Sequence, residues 1–247
     1  MTIIPPANIA AHMATELDGR SSSVFLVLSG PGGTGKSTLI RMWRKCDPDI
    51  GYVKNVTTRA RRPPDPTSGV NDDDFFEFVS RERFRELVER DQLAQWVNPQ
   101  EGYYSGTPRQ PLLDAIEQRR DLLFDYTPQL YLNLQRAFPK QVVGVFVAPP
   151  SMAVLRDRLA ARSSEQGHKL QLKFNMGVQD LSYVDMHHYH VTNHDLEETL
   201  ETLRSILRAE KQRLVRLPEL CDLYDTVKDR RQMLFYYDPA GSRIADM

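Results

Sequence analysis

Gly30-Pro31-Gly32-Gly33-Thr34-Gly35-Lys36-Ser37 is the stretch on which the reading of this chain turns. It matches G-x-x-x-x-G-K-[ST] at every specified position. Such a loop needs glycines because its backbone must curl until several N–H groups point at one phosphate. Lys36 can then reach the β- and γ-phosphates, and the Ser37 hydroxyl can ligate Mg²⁺. The flanks agree. Residues 24–28 are a short, wholly apolar run, as a buried parallel strand requires. Residues 37–45 read as a helix, whose positive N-terminal end adds to the same site. The expected cofactors are therefore ATP and Mg²⁺, held by Gly30, Gly32, Gly33, Thr34, Gly35, Lys36, Ser37 and Thr38.

Outward from this loop, strands alternate with helices. Residues 53–58 look like a strand leading into a basic, proline-containing segment at 59–66 and an acidic turn at 71–74. Residues 81–90 are helical, and 102–108 read as a loop with two tyrosines and two glycines. Residues 121–126 and 142–147 are apolar strands, and 152–161 form a helix that runs into a polar stretch at 162–168. A last short strand at 189–191 precedes a helix over 196–213. The rhythm predicts an α/β fold: three layers, with a five-stranded, mostly parallel sheet between helices. Residues 1–22 form a leader. Residues 214–247 fall outside the rhythm, and packing on the domain, dimerisation or mobility are all open for them.

At 247 residues the chain holds one large domain or two small ones. A net charge of -1 gives no global basic field, so no nucleic-acid partner is expected. With only Cys46 and Cys221, no disulfide framework is indicated and a reducing compartment fits. No apolar run approaches the ~18 residues of a membrane span. The first eleven residues lack a basic region followed by an apolar core, so a cytoplasmic location is expected. His187, His188, His190 and His194 crowd together, but no cysteine lies nearby and no H-E-x-x-H spacing exists, which argues against a metal there.

Over residues 24–211 further motifs appear in order: Thr57-Thr58-Arg59-Ala60-Arg61-Arg62, Phe78-Val79-Ser80, Gln95-Trp96, Gly102-Tyr103-Tyr104-Ser105-Gly106-Thr107-Pro108 and Phe124-Asp125. Ala148-Pro149-Pro150-Ser151, Arg158-Leu159-Ala160-Ala161-Arg162 and Val191-Thr192-Asn193-His194-Asp195-Leu196 follow. With the phosphate loop, this ordered set resembles the guanylate kinase family of nucleoside-monophosphate kinases. The resemblance implies an acceptor-binding subdomain at about 55–110 and a lid at about 162–178 within a kinase domain at 23–213. It implies that Arg59, Arg62 and Tyr104 hold the phosphate of a small-molecule acceptor, since guanidinium forks suit phosphate oxygens. Arg158 and Arg162, with Lys173 in place of a later arginine, would close over the donor phosphates. Asn193 would lie near the donor adenine, and Asp125 would act through water on Mg²⁺.

The departures from the family cluster on acceptor recognition. Gln95 replaces the glutamate that meets guanine's N–H donors, and Thr127 replaces a second carboxylate. Hydrogen bonds to charged partners contribute roughly twice as much as neutral ones, so guanine should lose about 1–3 kcal/mol of preference. Phe76 stands for a tyrosine, Asn55 for a serine and Asp65 for a glutamate, and a residue is inserted around Ser105, beside Thr107. The resulting expectation is an ATP-dependent phosphotransferase whose acceptor is a nucleotide or nucleotide-like phosphate other than ordinary GMP. A sugar-phosphate kinase of the ribose 1,5-bisphosphate type and a non-catalytic binding module remain as alternatives. A GTPase switch is disfavoured by the lack of an N-K-x-D-type motif.

Overall fold

Two clusters of buried side chains, one on each face of the same strands, show why this chain forms layers. Residues 22–61, 71–98, 102–162 and 168–217 are described, in a computed structural model, and the unit considered is Ser22–Lys211. It runs β1 (Phe25–Ser29), α1 (Lys36–Cys46), β2 (Gly51–Tyr52), β3 (Asn55–Thr57), β4 (Phe76–Phe78), α2 (Arg81–Glu89), β5 (Leu93–Val97) and β6 (Ser105–Pro108). Then follow α3 (Gln110–Glu117), β7 (Leu122–Asp125), α4 (Pro128–Ala137), β8 (Val142–Ala148), α5 (Met152–Arg162), α6 (His168–Asp180), β9 (Tyr189–Thr192) and α7 (Leu196–Lys211).

The main sheet has the order β2-β7-β1-β8-β9, and each of its pairings is parallel. Alternate residues of a strand face opposite sides. Accordingly Leu26, Leu28, Val143, Val145 and Val147 pack with Leu39, Ile40 and Trp43 of α1 and with Leu200 and Leu203 of α7. Phe25, Val27, Phe124 and Val142 pack the other way, against Leu112 and Ala115 of α3 and Leu130, Tyr131 and Leu134 of α4. The parallel sheet thus lies between two helical layers, as the alternating pattern implied.

A second sheet has the order β4-β3-β6-β5 and spans the stretch where an acceptor-binding subdomain is expected. Its own small core is Val56, Phe84 and Leu93 with Tyr104 against them. Here one expectation fails. The stretch 102–108 is not a loop throughout, because Ser105–Pro108 is strand β6, paired antiparallel to both β3 and β5. The misleading residue is Gly106. A Cβ there would stand 2.8 Å from Leu93 Cδ1 and 3.0 Å from the Gln95 carbonyl, so this glycine marks close packing inside a sheet. The last helix ends at Lys211, two residues short of the expected bound. Residues 1–21, 62–70, 99–101, 163–167 and 218–247 lie outside the described residues, and with them most of the leader, Arg62, Asp65, the start of the lid and most of the C-terminal stretch.

Candidate active site

The loop after β1 curls as its glycines allow, with Gly30, Gly33 and Gly35 all at positive φ. Gly30 cannot be replaced cheaply: its φ is +117 and a Cβ would stand 2.7 Å from the Val147 carbonyl oxygen of β8. A main-chain oxygen in the sheet cannot retreat. Gly30→Ala is therefore expected to cost about 2 kcal/mol or more and to lower the melting temperature by several degrees in a thermal scan.

Gly35 is the N-cap of α1 and supplies no side-chain cap, and the first turn of α1 carries no acidic residue. The helix therefore turns uncapped N–H groups and its positive end toward the loop, the arrangement that suits an anion. The buried ammonium of Lys36 donates to the carbonyls of Gly30 and Pro31, each at 2.8 Å. Ser37 Oγ donates to Asp125 Oδ2 at 2.5 Å, which joins the helix start to the end of β7. Thr34 is fully buried and bonds the Pro31 carbonyl, and Thr38 is half-buried in the first turn.

Asn193, just past β9, holds the loop from beneath. Its Nδ2 donates to the Thr34 carbonyl at 2.7 Å, its Oδ1 accepts from Thr199 Oγ1 at 3.1 Å, and its carbonyl accepts from Arg158 at 3.2 Å. Both ends of the amide are engaged inside the protein, so Asn193 is a strut of the loop. Arg158 is half-buried on α5 and anchored to the same residue. The Arg162 side chain is outside the described set, and Lys173 is half-buried on α6.

The end of α6 reaches the cradle as well. A Cβ on Gly177 would meet Leu155 Cδ2 at 3.2 Å and Pro31 Cβ at 3.4 Å, so helix and loop are in contact. Burial pushes the carboxyl of Asp180, one turn on, up to about 6, and the Lys36 ammonium partly opposes the shift. A carboxyl raised above its ordinary 3.8 weakens the fold when ionised. That penalty is absent below about pH 4, grows through about pH 6 and is complete at neutral pH. After allowance for solvent screening, Asp180→Asn is expected to gain about 1–2 kcal/mol at neutral pH and nothing near pH 4, as urea titrations at both values would show.

On the second sheet, Arg59 pairs with Asp72 at 2.9 Å, and its guanidinium lies 5.0 Å from the Phe76 ring centroid. Tyr104 stacks on Phe84 at 5.4 Å. Beneath them is a buried polar group. Thr107 Oγ1 lies 3.0 Å from Asn55 Oδ1, the Tyr126 hydroxyl bonds both Thr107 and Asn55 Oδ1, and Gln95 Nε2 faces Thr107 at 3.4 Å. Gln95 Oε1 is buried without a hydrogen-bond partner. Burial drives the Tyr126 phenol well above its ordinary range, so it stays a neutral hydroxyl. Thr127 is exposed, and its hydroxyl accepts from the Leu130 N–H to cap α4.

Two of the clustered histidines pack inside the fold. The His187 ring stacks 4.3 Å from Tyr131, and His188 Nδ1 accepts from the Gly144 N–H at 2.9 Å. Among the described residues no three His, Cys, Asp or Glu side chains could hold a metal together, and no helix is long and apolar enough to cross a membrane.

The family model described as guanylate kinase matches residues 22–210. The chain belongs to the guanylate kinase family. A guanylate kinase of Maricaulis maris is 33% identical over 86% of this chain and 94% of its own length. One from Desulfitobacterium hafniense is 35% identical over 81% of this chain and 96% of its own. A crystal structure of guanylate kinase from Anaplasma phagocytophilum, 26% identical, superposes with a TM-score of 0.67 over 84% of this chain and 96% of that one. As a guanylate kinase relative the chain is an ATP-dependent phosphotransferase. Of the residues named on the guanylate kinase resemblance, Asn55, Gln95 and Thr107 share one buried network, and Arg59 lies over Phe76. Tyr126 was passed over. Its signal was a tyrosine directly after the strand Leu122–Asp125, where a buried hydroxyl must find a partner.

Proposed function

We propose that this chain transfers the γ-phosphoryl group of ATP to the phosphate of a nucleotide acceptor whose base is not guanine. One observation carries the reading: the buried polar side chains on the acceptor side, Gln95, Thr107, Asn55 and Tyr126, are all neutral. Guanine brings two N–H groups to such a pocket, and a neutral amide pairs with them less strongly than a carboxylate.

In this reading the α1 N-terminus and Lys36 hold the donor's phosphates, while Arg59, Arg62 and Tyr104 align the acceptor phosphate with the γ-phosphoryl. Arg158, Arg162 and Lys173 add positive charge from the lid side. Ser37 Oγ and Asp125 would hold Mg²⁺ together with phosphate oxygens; hard oxygen donors with one carboxylate fit that ion. When bound, the ion neutralises charge between the β- and γ-phosphates. Positioning and charge account for nearly all of the acceleration, since phosphoryl transfer needs little covalent help.

The test is a screen of nucleoside monophosphates and sugar phosphates against ATP, with ADP release as readout. A nucleotide other than GMP should be the best acceptor. A sugar phosphate as the best acceptor, or GMP turned over more efficiently than every other nucleotide, would overturn the specificity reading.

A further inference from the structure

β2 ends the main sheet opposite β9, so among the described residues one edge of its main chain has no neighbouring strand. Along it lies a cavity of about 520 Å³, walled by the end of α1 on one side and by α3 on the other. That volume is within the range of small-molecule sites. The cavity is separate from the phosphate cradle. Arg44, in its wall, stands in the last turn of the helix that Lys36 begins, about 12 Å along the axis. Leu122, also in its wall, starts β7, and the far end of that strand, Asp125, lies about 10 Å on. Among the described residues the charged side chains lining the cavity are Arg44, Arg120 and Asp114. The guanidinium of Arg44 lies over the Tyr52 ring, 5.3 Å from its centroid, and Phe75 steadies that ring edge-on at 5.3 Å. Arg120 donates through Nε to the Asp49 carbonyl at 3.1 Å, which leaves its two terminal nitrogens for another partner. Asp114 accepts from Gln110 at 2.7 Å through one oxygen, and Gln118 follows one turn on.

We infer that this cavity is a second nucleotide site, apart from the reaction centre. A guanidinium held on one aromatic ring offers its other face to a second flat ring, so Arg44 is the plate on which a base stacks. The free oxygen of Asp114 and the amide of Gln118 accept the N–H groups of that base. The terminal nitrogens of Arg120 form the fork that takes two phosphate oxygens at once. The arginines outnumber the single carboxylate, so the cavity carries a net positive charge that an anion neutralises. Both parts of the ligand count: an anion without a ring leaves the Arg44 face bare, and a nucleoside without phosphate leaves Arg120 unanswered. None of these residues belongs to the acceptor-side network, and the outcome of the acceptor screen has no bearing on this site.

The experiment is calorimetric titration of ADP, the nucleotide that transfer from ATP leaves behind, into the full chain and into the double variant Arg44→Ala, Arg120→Ala. The unaltered chain is expected to bind one equivalent of ADP more than the double variant, or to bind that equivalent at least tenfold more tightly, the loss that follows when charged hydrogen bonds are removed. Binding at the cradle should be the same in both. Lys36→Ala is expected to do the opposite, weakening the cradle while the arginine-dependent equivalent stays. Inorganic pyrophosphate, which has the charge without the ring, should occupy the arginine-dependent site at least tenfold more weakly than ADP. Should the double variant fold poorly, Gln118→Trp fills the cavity from an exposed position, leaves both arginines in place and carries the same expectation. Equal ADP stoichiometry and affinity in the unaltered chain and in the folded variant, or pyrophosphate matching ADP at this site, would overturn the inference.

Discussion

Lys36→Ala is expected to lower ATP-dependent phosphoryl transfer by on the order of a thousandfold while leaving the fold intact. Removing a preorganised charge from a phosphoryl-transfer site has effects of that size, because the charge acts where the transition state gathers its own. The fold should survive because the ammonium bonds main-chain carbonyls of its own loop and joins no part of the hydrophobic clusters. Turnover should be followed by ADP release and the fold by circular dichroism. Substantial turnover in a folded Lys36→Ala protein would remove the mechanism at its base.

The second large effect is on selectivity. Gln95→Glu combined with Thr127→Asp is expected to raise kcat/KM for GMP by roughly tenfold, the range set by adding a charged hydrogen-bond acceptor at the buried position 95, with a smaller gain from the exposed position 127. The structure can accommodate both changes. Thr107 can turn its proton onto the new carboxylate while Tyr126 keeps Asn55, 3.1 Å away. Aspartate at 127 still caps α4, since it ranks among the better N-cap residues. Efficient GMP phosphorylation by the unaltered chain, with no gain in the double variant, would show that these positions do not set the choice of acceptor.

How far the sequence could be read depended on how local each signal was. The phosphate loop was legible because an apolar strand, the glycines and Lys36-Ser37 are contiguous, and the structure places them as expected. Four main-sheet strands stood out as β-branched or apolar runs for the same reason. The acceptor sheet was harder. β4 and β5 mix charged and apolar residues in short pieces, and the Gly106 of β6 imitated a loop signal whose true cause is the approach of Leu93 and Gln95 from a neighbouring strand. Pro111 and Pro128 look like breaks in the chain but sit in the first turns of α3 and α4, where proline lacks only an N–H the helix does not use. The partners of Tyr126 were invisible for a longer-range reason: they are 19 and 71 residues away, and nothing next to it in the chain announces them. Asn193 is a similar case, since the amide's partners, Thr34 and Thr199, come from two different elements.

That inward amide joins the cradle to the margin of the main sheet. β9 is the outermost strand on its side, and the residue that follows it props up Thr34 and receives Arg158. Fraying at this border would withdraw the prop, so local melting far from the chemistry would register as weaker nucleotide affinity. Linkage runs both ways, and an occupied cradle must in turn stiffen the border strand. On the proposed reading, this outer strand would report whether a donor is in place.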